Sequence, residues 1–337
     1  MSLTTLPIGP RKSPNNLRER WVSPTDRHSY AHVAFSPDGK NIARVYQGGA
    51  DILDVNGRQI TVVNWQGQEA HDKKWNISWY PYRIKYSPDG KTIAVSGTNA
   101  SVCLLNSETL QEESLVSLPC GEESFAFSPR GNLLVVGHSR GITIVDLANN
   151  NTEEMLPSKR QERPYARNII FSPPGDKILF NFYNPGSLSM SIKSYSGISL
   201  YDIEAKKNVC EKKLDFEFNS VICIPNKNLM ALLGNRKVCT IDSVSLEIVN
   251  VSNLLPGEAV SMCSSKDGNK LYIGYDGKKF DKGAAGIFTL ETDTCKVISN
   301  YYCEPEDVAR QCQSVDCSPT ADLLVADFDS HTRLFEV

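Results

Sequence analysis

The sequence has no apolar run long enough to cross a membrane as a helix. Residues 1–11 contain no apolar stretch with a small-residue cleavage site after it, so we expect no signal peptide. Charge of one sign is not in excess, because 36 Lys and Arg face 39 Asp and Glu for a net charge of -3. This balance gives no electrostatic reason to expect nucleic acid or a membrane surface as the partner.

Metal-binding cysteine patterns are also absent, although the chain has ten cysteines. No Cys-x-x-Cys pair occurs and no cysteine has a histidine close behind it, so no zinc or other metal site is predicted. Cys103, Cys223, Cys239 and Cys263 lie within apolar runs, where a free thiol behaves as a small hydrophobic side chain. We therefore expect reduced thiols in a cytoplasmic protein, with a secreted disulfide framework as the alternative. No phosphate-cradling glycine loop occurs, and no cofactor is predicted.

A short phrase recurs seven times along the chain. Its clearest copies read Phe-Ser-Pro-Asp-Gly-Lys from Phe35 and Tyr-Ser-Pro-Asp-Gly-Lys from Tyr86. The seven copies begin, at uneven intervals, at Phe35, Tyr86, Phe127, Phe171, Cys223, Cys263 and Cys317. Proline presets φ, Asp or Asn hydrogen-bonds its own backbone, and glycine takes the position that needs a positive φ. Each copy therefore predicts a tight turn.

Each predicted turn lies within the same order of short strands. One strand precedes it, a mostly apolar strand follows, and a third strand of alternating pattern ends in an acid or an amide. These strand-ending residues are Asp54, Asn106, Asp146, Asp202, Asp242, Glu291 and Glu336. A fourth, more polar strand completes the unit, and four strands in about 40 to 45 residues are typical of a propeller blade. We predict an all-β fold, a seven-bladed β-propeller of four-stranded antiparallel blades.

The ends of the third strands resemble those of the WD-repeat family. The pairs Val145-Asp146 and Phe335-Glu336 are similar to its Trp-Asp dipeptide, and residues 329–337 are similar to its last-strand consensus. No copy keeps the tryptophan, and no Gly-His precedes a first strand. The Phe-Arg-Arg-Gly motif of phosphoinositide-binding propellers is missing as well. The resemblance implies the fold and a role in holding partners, but no particular activity.

The chain stops on the third strand of the seventh unit, so that blade needs a fourth strand from elsewhere. Residues 17–23 precede the first unit and can supply it beside residues 332–337, with Trp21 packed against the blade. This closure would remove the open edge that invites aggregation. We therefore predict one propeller over residues 17–337, closed by an N-terminal strand in the last blade, and a disordered tail over residues 1–16.

The long predicted connections all belong to two classes, those between blades and those between second and third strands. They cover residues 66–80, 156–163, 183–196, 276–283 and 303–311. In a propeller these two classes emerge on the same face, whereas the short turns emerge on the other. Because loops on a rigid scaffold carry function, we expect partners to bind on the face with the long loops.

Candidate binding residues lie in and beside these connections. They are Trp65, His71, Trp75, Trp79, Tyr80, Tyr82, Lys159, Arg160, Arg163, Tyr183, Met190 and Tyr195. Aromatic side chains and arginine are the usual anchors of protein interfaces. Alternatively, Trp75 and Trp79 fold back as a lid over the channel. The basic cluster formed by Lys159, Arg160 and Arg163 is either a solvated loop or a site for an acidic or phosphorylated partner.

One enzyme-like motif occurs, Gly-His-Ser-Arg-Gly over residues 137–141, which matches the nucleophile elbow of esterases. An elbow needs a helix after the serine, whereas a strand pattern follows here, so we expect a hairpin turn and no catalytic residue. The five histidines are scattered, at His28, His32, His71, His138 and His331.

The expected function is therefore a non-catalytic scaffold for protein or peptide partners, monomeric or a subunit of a larger complex, that acts without nucleic acid or membrane. Two alternatives remain open. One is a metal-dependent hydrolase or lactonase whose site lies in the central channel, and the other is a phosphopeptide-reading adaptor.

Overall fold

The computed structural model describes most of the chain from Leu17 onward. The described ranges are residues 17–24, 32–46, 48–64, 81–97, 100–119, 121–149, 151–155, 165–184, 195–234, 236–255, 257–277, 285–303, 311–328 and 331–337. Within these ranges every regular element is a β-strand. None of the described residues forms a helix long and apolar enough to cross a membrane.

The strands form seven separate antiparallel sheets of four strands each, which confirms the predicted blades. Blade 1 has β2 (His32–Phe35), β3 (Asn41–Tyr46), β4 (Gly49–Asp54) and β5 (Gln59–Asn64), and blade 2 has β6 (Pro81–Tyr86), β7 (Thr92–Gly97), β8 (Ser101–Asn106) and β9 (Glu112–Ser117). Blade 3 has β10 (Glu122–Phe127), β11 (Leu133–His138), β12 (Gly141–Asp146) and β13 (Asn151–Met155), and blade 4 has β14 (Tyr165–Phe171), β15 (Lys177–Asn184), β16 (Tyr195–Asp202) and β17 (Lys207–Leu214). Blade 5 has β18 (Phe218–Cys223), β19 (Leu229–Gly234), β20 (Val238–Asp242) and β21 (Ile248–Val251), and blade 6 has β22 (Glu258–Ser264), β23 (Lys270–Asp276), β24 (Gly286–Glu291) and β25 (Val297–Tyr302). Blade 7 has β26 (Cys312–Cys317), β27 (Leu323–Phe328), β28 (His331–Glu336) and β1 (Arg18–Pro24).

The recurring turns are organised by a serine. In blade 1 the Ser36 hydroxyl accepts a hydrogen bond from the backbone N–H of Asn41 (2.9 Å) and donates one to Asp38 (2.6 Å). The backbone N–H of Gly39, at φ 70°, donates to the Ser36 carbonyl (2.8 Å). The same position is held by Ser87, Ser128, Ser172, Ser265 and Ser318, and by Ile224 in blade 5. We call the residue at this position the turn serine in every blade, although blade 5 has Ile224 there.

The register predicted for the sixth copy is wrong by one residue. Ser265, not Ser264, receives the hydrogen bond from Gly268 (2.9 Å) and donates its own N–H to Lys270 (2.9 Å), as Ser36 does in blade 1. The structural equivalent of Phe35 is therefore Ser264 rather than Cys263. Two adjacent serines without a proline allowed both alignments, and only the turn geometry separates them.

The turns of neighbouring blades pack against each other. A β-carbon placed on Gly90 would lie 3.5 Å from Cδ of Pro37 in the preceding blade. At Gly39 it would lie only 2.1 Å from Oγ1 of Thr320 in blade 7, so that position has no room for a side chain. Similar contacts join Gly131 to Pro88, Gly175 to Pro129 and Gly268 to Pro225. We call the side of the ring that carries these short turns the turn face.

The N-terminal strand closes the ring as predicted. β1 pairs antiparallel with β28, from Arg18 opposite Glu336 to Pro24 opposite His331. Trp21 is 4% exposed and lies in an apolar cluster that joins blades 7 and 1. Its indole N–H donates to the carbonyl of Val55 in blade 1 (3.1 Å). The tryptophan therefore links the first and last blades as well as filling the seventh.

Candidate functional site

The second and fourth strands of each blade end on the same side of the ring, opposite the turn face. We call this side the loop face. The strand ends that flank the five long connections all lie there, because each connection joins a fourth to a first strand or a second to a third. One contact shows this directly, since Asp276 at the end of β23 forms an antiparallel bridge with Gln311 just before β26. The segments that flank residues 276–283 and 303–311 therefore meet on the loop face.

Most of the predicted binding residues lie outside the described residues. These are Trp65, His71, Trp75, Trp79, Tyr80, Lys159, Arg160, Arg163 and Met190. Their role in binding stays a prediction. The strands beside them place the ends of their loops on the loop face.

Three predicted residues belong to strands rather than to loops, which corrects their expected setting. Tyr82 lies in the inner strand β6, at a bulge between Pro81 and Arg83. Tyr183 and Tyr195 lie in β15 and β16, which extend into the connection predicted at 183–196. The alternating, partly aromatic sequence continues the pairing there, so a shorter connection remains.

The pairing places two of these tyrosines at the end of one hairpin. Tyr183 is opposite Ser196 in β16 and opposite Tyr165 in β14, and Asn184 is opposite Tyr195. These backbone positions bring Tyr165, Tyr183 and Tyr195 to the loop-face edge of blade 4.

The esterase-like motif is a hairpin turn, as predicted. His138 pairs with Gly141, so Ser139 and Arg140 form a two-residue turn between β11 and β12. The buried His138 ring lies 3.0 Å from the Thr143 hydroxyl through Nε2, and its Nδ1 accepts the backbone N–H of Arg140 (3.2 Å). Strand, turn and strand leave Ser139 without the strand-to-helix setting of a nucleophile elbow.

The inner strands carry a polar position that sequence reasoning missed. The residue four places before the turn serine is polar in every blade: His32, Arg83, Ser124, Asn168, Ser220, Ser261 and Ser314. Three of the serines at this position accept a hydrogen bond, through the hydroxyl group, from a backbone N–H of the next inner strand. Ser124 accepts from Ile169 (3.1 Å), Ser261 from Val315 (3.1 Å) and Ser314 from Val33 (3.4 Å). This position therefore joins neighbouring blades at these three junctions.

Two charged side chains occupy the position two places before the turn serine. Lys85 of blade 2 lies with its Nζ 5.8 Å from the ring centroid of Phe125, and Asp316 of blade 7 accepts the backbone N–H of Phe35 (2.7 Å). The other blades have Ala34, Ala126, Ile170, Ile222 and Cys263 there. At this level the inner strands therefore carry small, apolar or thiol side chains, except for one ammonium and one carboxyl group.

Burial perturbs the ionisable groups of the inner strands. It lowers the pKa of His32 to about 3, helped by the positive charges of Arg83 and Lys85. Burial also raises the pKa of Asp316 to about 6, against the hydrogen bonds it accepts from the backbone of Phe35 and Cys317. At neutral pH His32 is therefore uncharged, and the two basic side chains dominate the potential around it.

The polar position of the inner strands could have been found by aligning the seven repeats residue by residue. With the sixth copy misplaced by one residue, Val260 instead of Ser261 would have stood at the polar position, which hides the pattern.

Within the described residues no group of three or more histidine, cysteine or acidic side chains is arranged to hold a metal ion.

Two solved structures are similar to this chain in fold. One is hydrazine synthase from Kuenenia stuttgartiensis, with a TM-score of 0.72 and 16% identity over 92% of this chain and 96% of that one. The other is the Cps50 (Swd1) β-propeller domain of Myceliophteria thermophila, with a TM-score of 0.74 and 11% identity over 96% of this chain and 100% of that one. The fold is a seven-bladed β-propeller. No protein-family model matches the chain, and no curated protein matches it in sequence.

Proposed function

We propose that this protein is a non-catalytic scaffold of the WD-repeat type that binds protein or peptide partners through its loop face. The observation that carries the proposal is the difference between the two faces. Short turns from neighbouring blades pack against one another on the turn face, whereas the strand ends of every long connection lie on the loop face. A rigid ring that presents its variable segments on one side is suited to recognition.

The rigidity of the ring supports the proposal. Hydrogen bonds from inner strand to inner strand join several neighbouring blades, and β1 closes blade 7. Loops that start from such fixed strand ends lose less conformational freedom on binding than loops on a mobile frame. The propeller therefore supplies pre-organisation, and the loops supply specificity.

The experiment compares partner capture by matched variants of the full chain. We expect Trp75→Ala and Trp79→Ala to lose partners that the wild type captures, because aromatic anchors dominate interfaces. Lys91→Ala serves as the control, since Lys91 is exposed on the turn face. Equal loss in the control, or no loss in either tryptophan variant, would contradict the proposal.

One further variant distinguishes a phosphopeptide-reading adaptor from a scaffold that binds through its aromatic loop residues. Arg160→Glu reverses one charge of the basic cluster and leaves the tryptophans in place. Selective loss of phosphorylated partners in this variant would identify a phosphopeptide reader. Retention of all partners would leave the aromatic loops as the recognition element.

A further inference from the structure

Two thiols touch each other across the interface between blade 6 and blade 7. The Sγ atoms of Cys263 in β22 and Cys317 in β26 are 3.2 Å apart. The same two strands are held in register by the hydrogen bond from the Val315 N–H to the Ser261 hydroxyl (3.1 Å). The contact therefore lies beside a hydrogen bond that links the inner strands of blades 6 and 7.

Among the described inner strands, no other pair of neighbouring blades has two cysteines at these positions. The paired positions lie two places before the turn serine of one blade and one place before that of the next. Elsewhere they hold Ala34 with Tyr86, Lys85 with Phe127, Ala126 with Phe171, Ile170 with Cys223, Ile222 with Ser264, and Asp316 with Phe35. The combination of two thiols is therefore specific to the junction of blades 6 and 7.

We propose that Cys263 and Cys317 form a reversible disulfide when the protein meets hydrogen peroxide, and that this bond staples blade 6 to blade 7. A disulfide has an S–S distance of about 2.05 Å, so each sulfur has to move by roughly 0.6 Å. Rotation about the Cα–Cβ bonds supplies a movement of this size. Both cysteines are free thiols in the structure.

Cys317 is the first to react, because it is half-buried whereas Cys263 is 6% exposed. The Cys317 thiol first releases its proton, and the thiolate attacks one oxygen of the peroxide and breaks the O–O bond. The products are a sulfenic acid and a hydroxide ion, which takes up the released proton to give water. The Cys263 sulfur then attacks the sulfur of Cys317 and displaces the hydroxyl group as a second water molecule. Two thiols and one peroxide thus give one disulfide and two waters, with two electrons transferred from sulfur to oxygen.

The surroundings make this oxidation slow. Burial raises the pKa of both thiols, and the nearby charge of Asp316 acts in the same direction. The thiolate fraction at neutral pH is therefore small, and sustained rather than brief exposure to peroxide is needed. Blade 7 is the blade that β1 closes, so the staple ties this closing blade to blade 6.

The experiment treats the full reduced chain with hydrogen peroxide, blocks the remaining thiols and maps the tryptic peptides by mass spectrometry. The two peptides concerned, 238–266 and 311–333, also carry Cys239 and Cys312, so fragment spectra must locate the bond. We expect a cross-link between Cys263 and Cys317 with loss of two hydrogen atoms, and a melting temperature several degrees higher that returns to its original value with dithiothreitol.

Variants provide the control. Cys263→Ala and Cys317→Ser introduce residue types that other blades have at the same positions, namely Ala34 and Ser264, so the fold should tolerate them. Both should abolish the cross-link and the peroxide-dependent rise in melting temperature, whereas Cys239→Ser and Cys312→Ser should keep them. A bond through Cys312 or Cys239, or sulfinic acid without a cross-link in the wild type, would overturn the proposal. Phenylarsine oxide, which binds paired thiols, should block two thiols of the reduced wild type and protect it from cross-linking.

Discussion

Arg44 and Asp51 form a bidentate ion pair at the seam between the first and last blades. The Nε atom of Arg44 lies 2.8 Å from Oδ1 of Asp51, and its Nη2 lies 2.6 Å from Oδ2. Both side chains are at most 2% exposed. The Nη1 atom donates to Ser23 of β1 (3.1 Å) and to Thr332 of β28 (3.2 Å), so one guanidinium holds both strands of the closure.

Removing this arginine should destabilise the protein strongly. Arg44→Ala leaves a buried carboxylate without its counter-charge, and we expect a loss of about 3 to 5 kcal/mol in the free energy of unfolding. Lys206→Ala is the control, because its pair with Glu153 is exposed on both sides and should contribute no more than about 1 kcal/mol. Urea denaturation of both variants measures the difference, and equal losses would show that the seam does not depend on Arg44.

The closing strand should matter through Trp21, and the tail before it should not. Trp21→Ala removes a buried side chain and its hydrogen bond to Val55, so we expect a loss of about 3 to 5 kcal/mol. Deletion of residues 1–16 should leave the melting temperature unchanged. Thermal unfolding of the two proteins checks this, and a fully stable Trp21→Ala variant would contradict the proposed role of the tryptophan in closure.

The glycines of the turns should differ in their tolerance of alanine. Gly39 and Gly90 both have a positive φ, so alanine at either position strains the backbone by roughly 1 kcal/mol or more. At Gly39 the new methyl group also collides with Thr320, and overpacking adds about 1 to 3 kcal/mol. Gly121 has open space around it and is the control. Stability should fall in the order Gly121→Ala, Gly90→Ala, Gly39→Ala, and a Gly39→Ala variant as stable as the control would refute the packing of the turn face.

The inner strands should give the protein two opposing responses to pH. The pKa of Asp316 is about 6 in the folded protein and 3.8 in the unfolded chain, so the folded state binds the proton more tightly. The resulting contribution to the free energy of unfolding is lost as the pH rises from about 4 to 6. The lowered pKa of His32, about 3 against 6.5, means that its contribution is lost as pH falls below 6.5.

Variants separate these two responses. Asp316→Asn should remove the decrease in the free energy of unfolding that accompanies ionisation of Asp316, which is worth about 2 to 3 kcal/mol. Stability should then rise more steeply with pH between about 4 and 6. His32→Gln should remove the decrease in stability that His32 causes below pH 6.5. Chemical denaturation at several pH values measures both slopes, and unchanged slopes would show that neither group titrates as its burial implies.

The sequence predicted the blades from local turn chemistry, and it predicted the closure because the seventh unit lacks a fourth strand. The Ser-Pro-Asp-Gly phrase after Phe35 makes its own turn, and Trp21 is the one aromatic residue in the segment 17–23 that can supply the missing strand. The buried contacts between distant segments could not be predicted this way. Arg44 meets Thr332 only after the ring has closed, and the polar inner position that contains Ser261 appears only when blade 6 is correctly aligned. The loop-face tyrosines Tyr183 and Tyr195 were placed near the right edge but in loops rather than strands.

The most direct test of the proposed binding face is site-specific photo-cross-linking in cells. A benzophenone side chain is placed at Tyr82, Tyr183 or Tyr195 near the loop face and, for comparison, at Lys40 or Lys91 on the turn face, where Lys40 is 78% exposed. We predict covalent adducts with partner proteins from the loop-face positions and none from the turn-face positions. Adducts that form only from Lys40 or Lys91 would show that partners bind the opposite side of the ring.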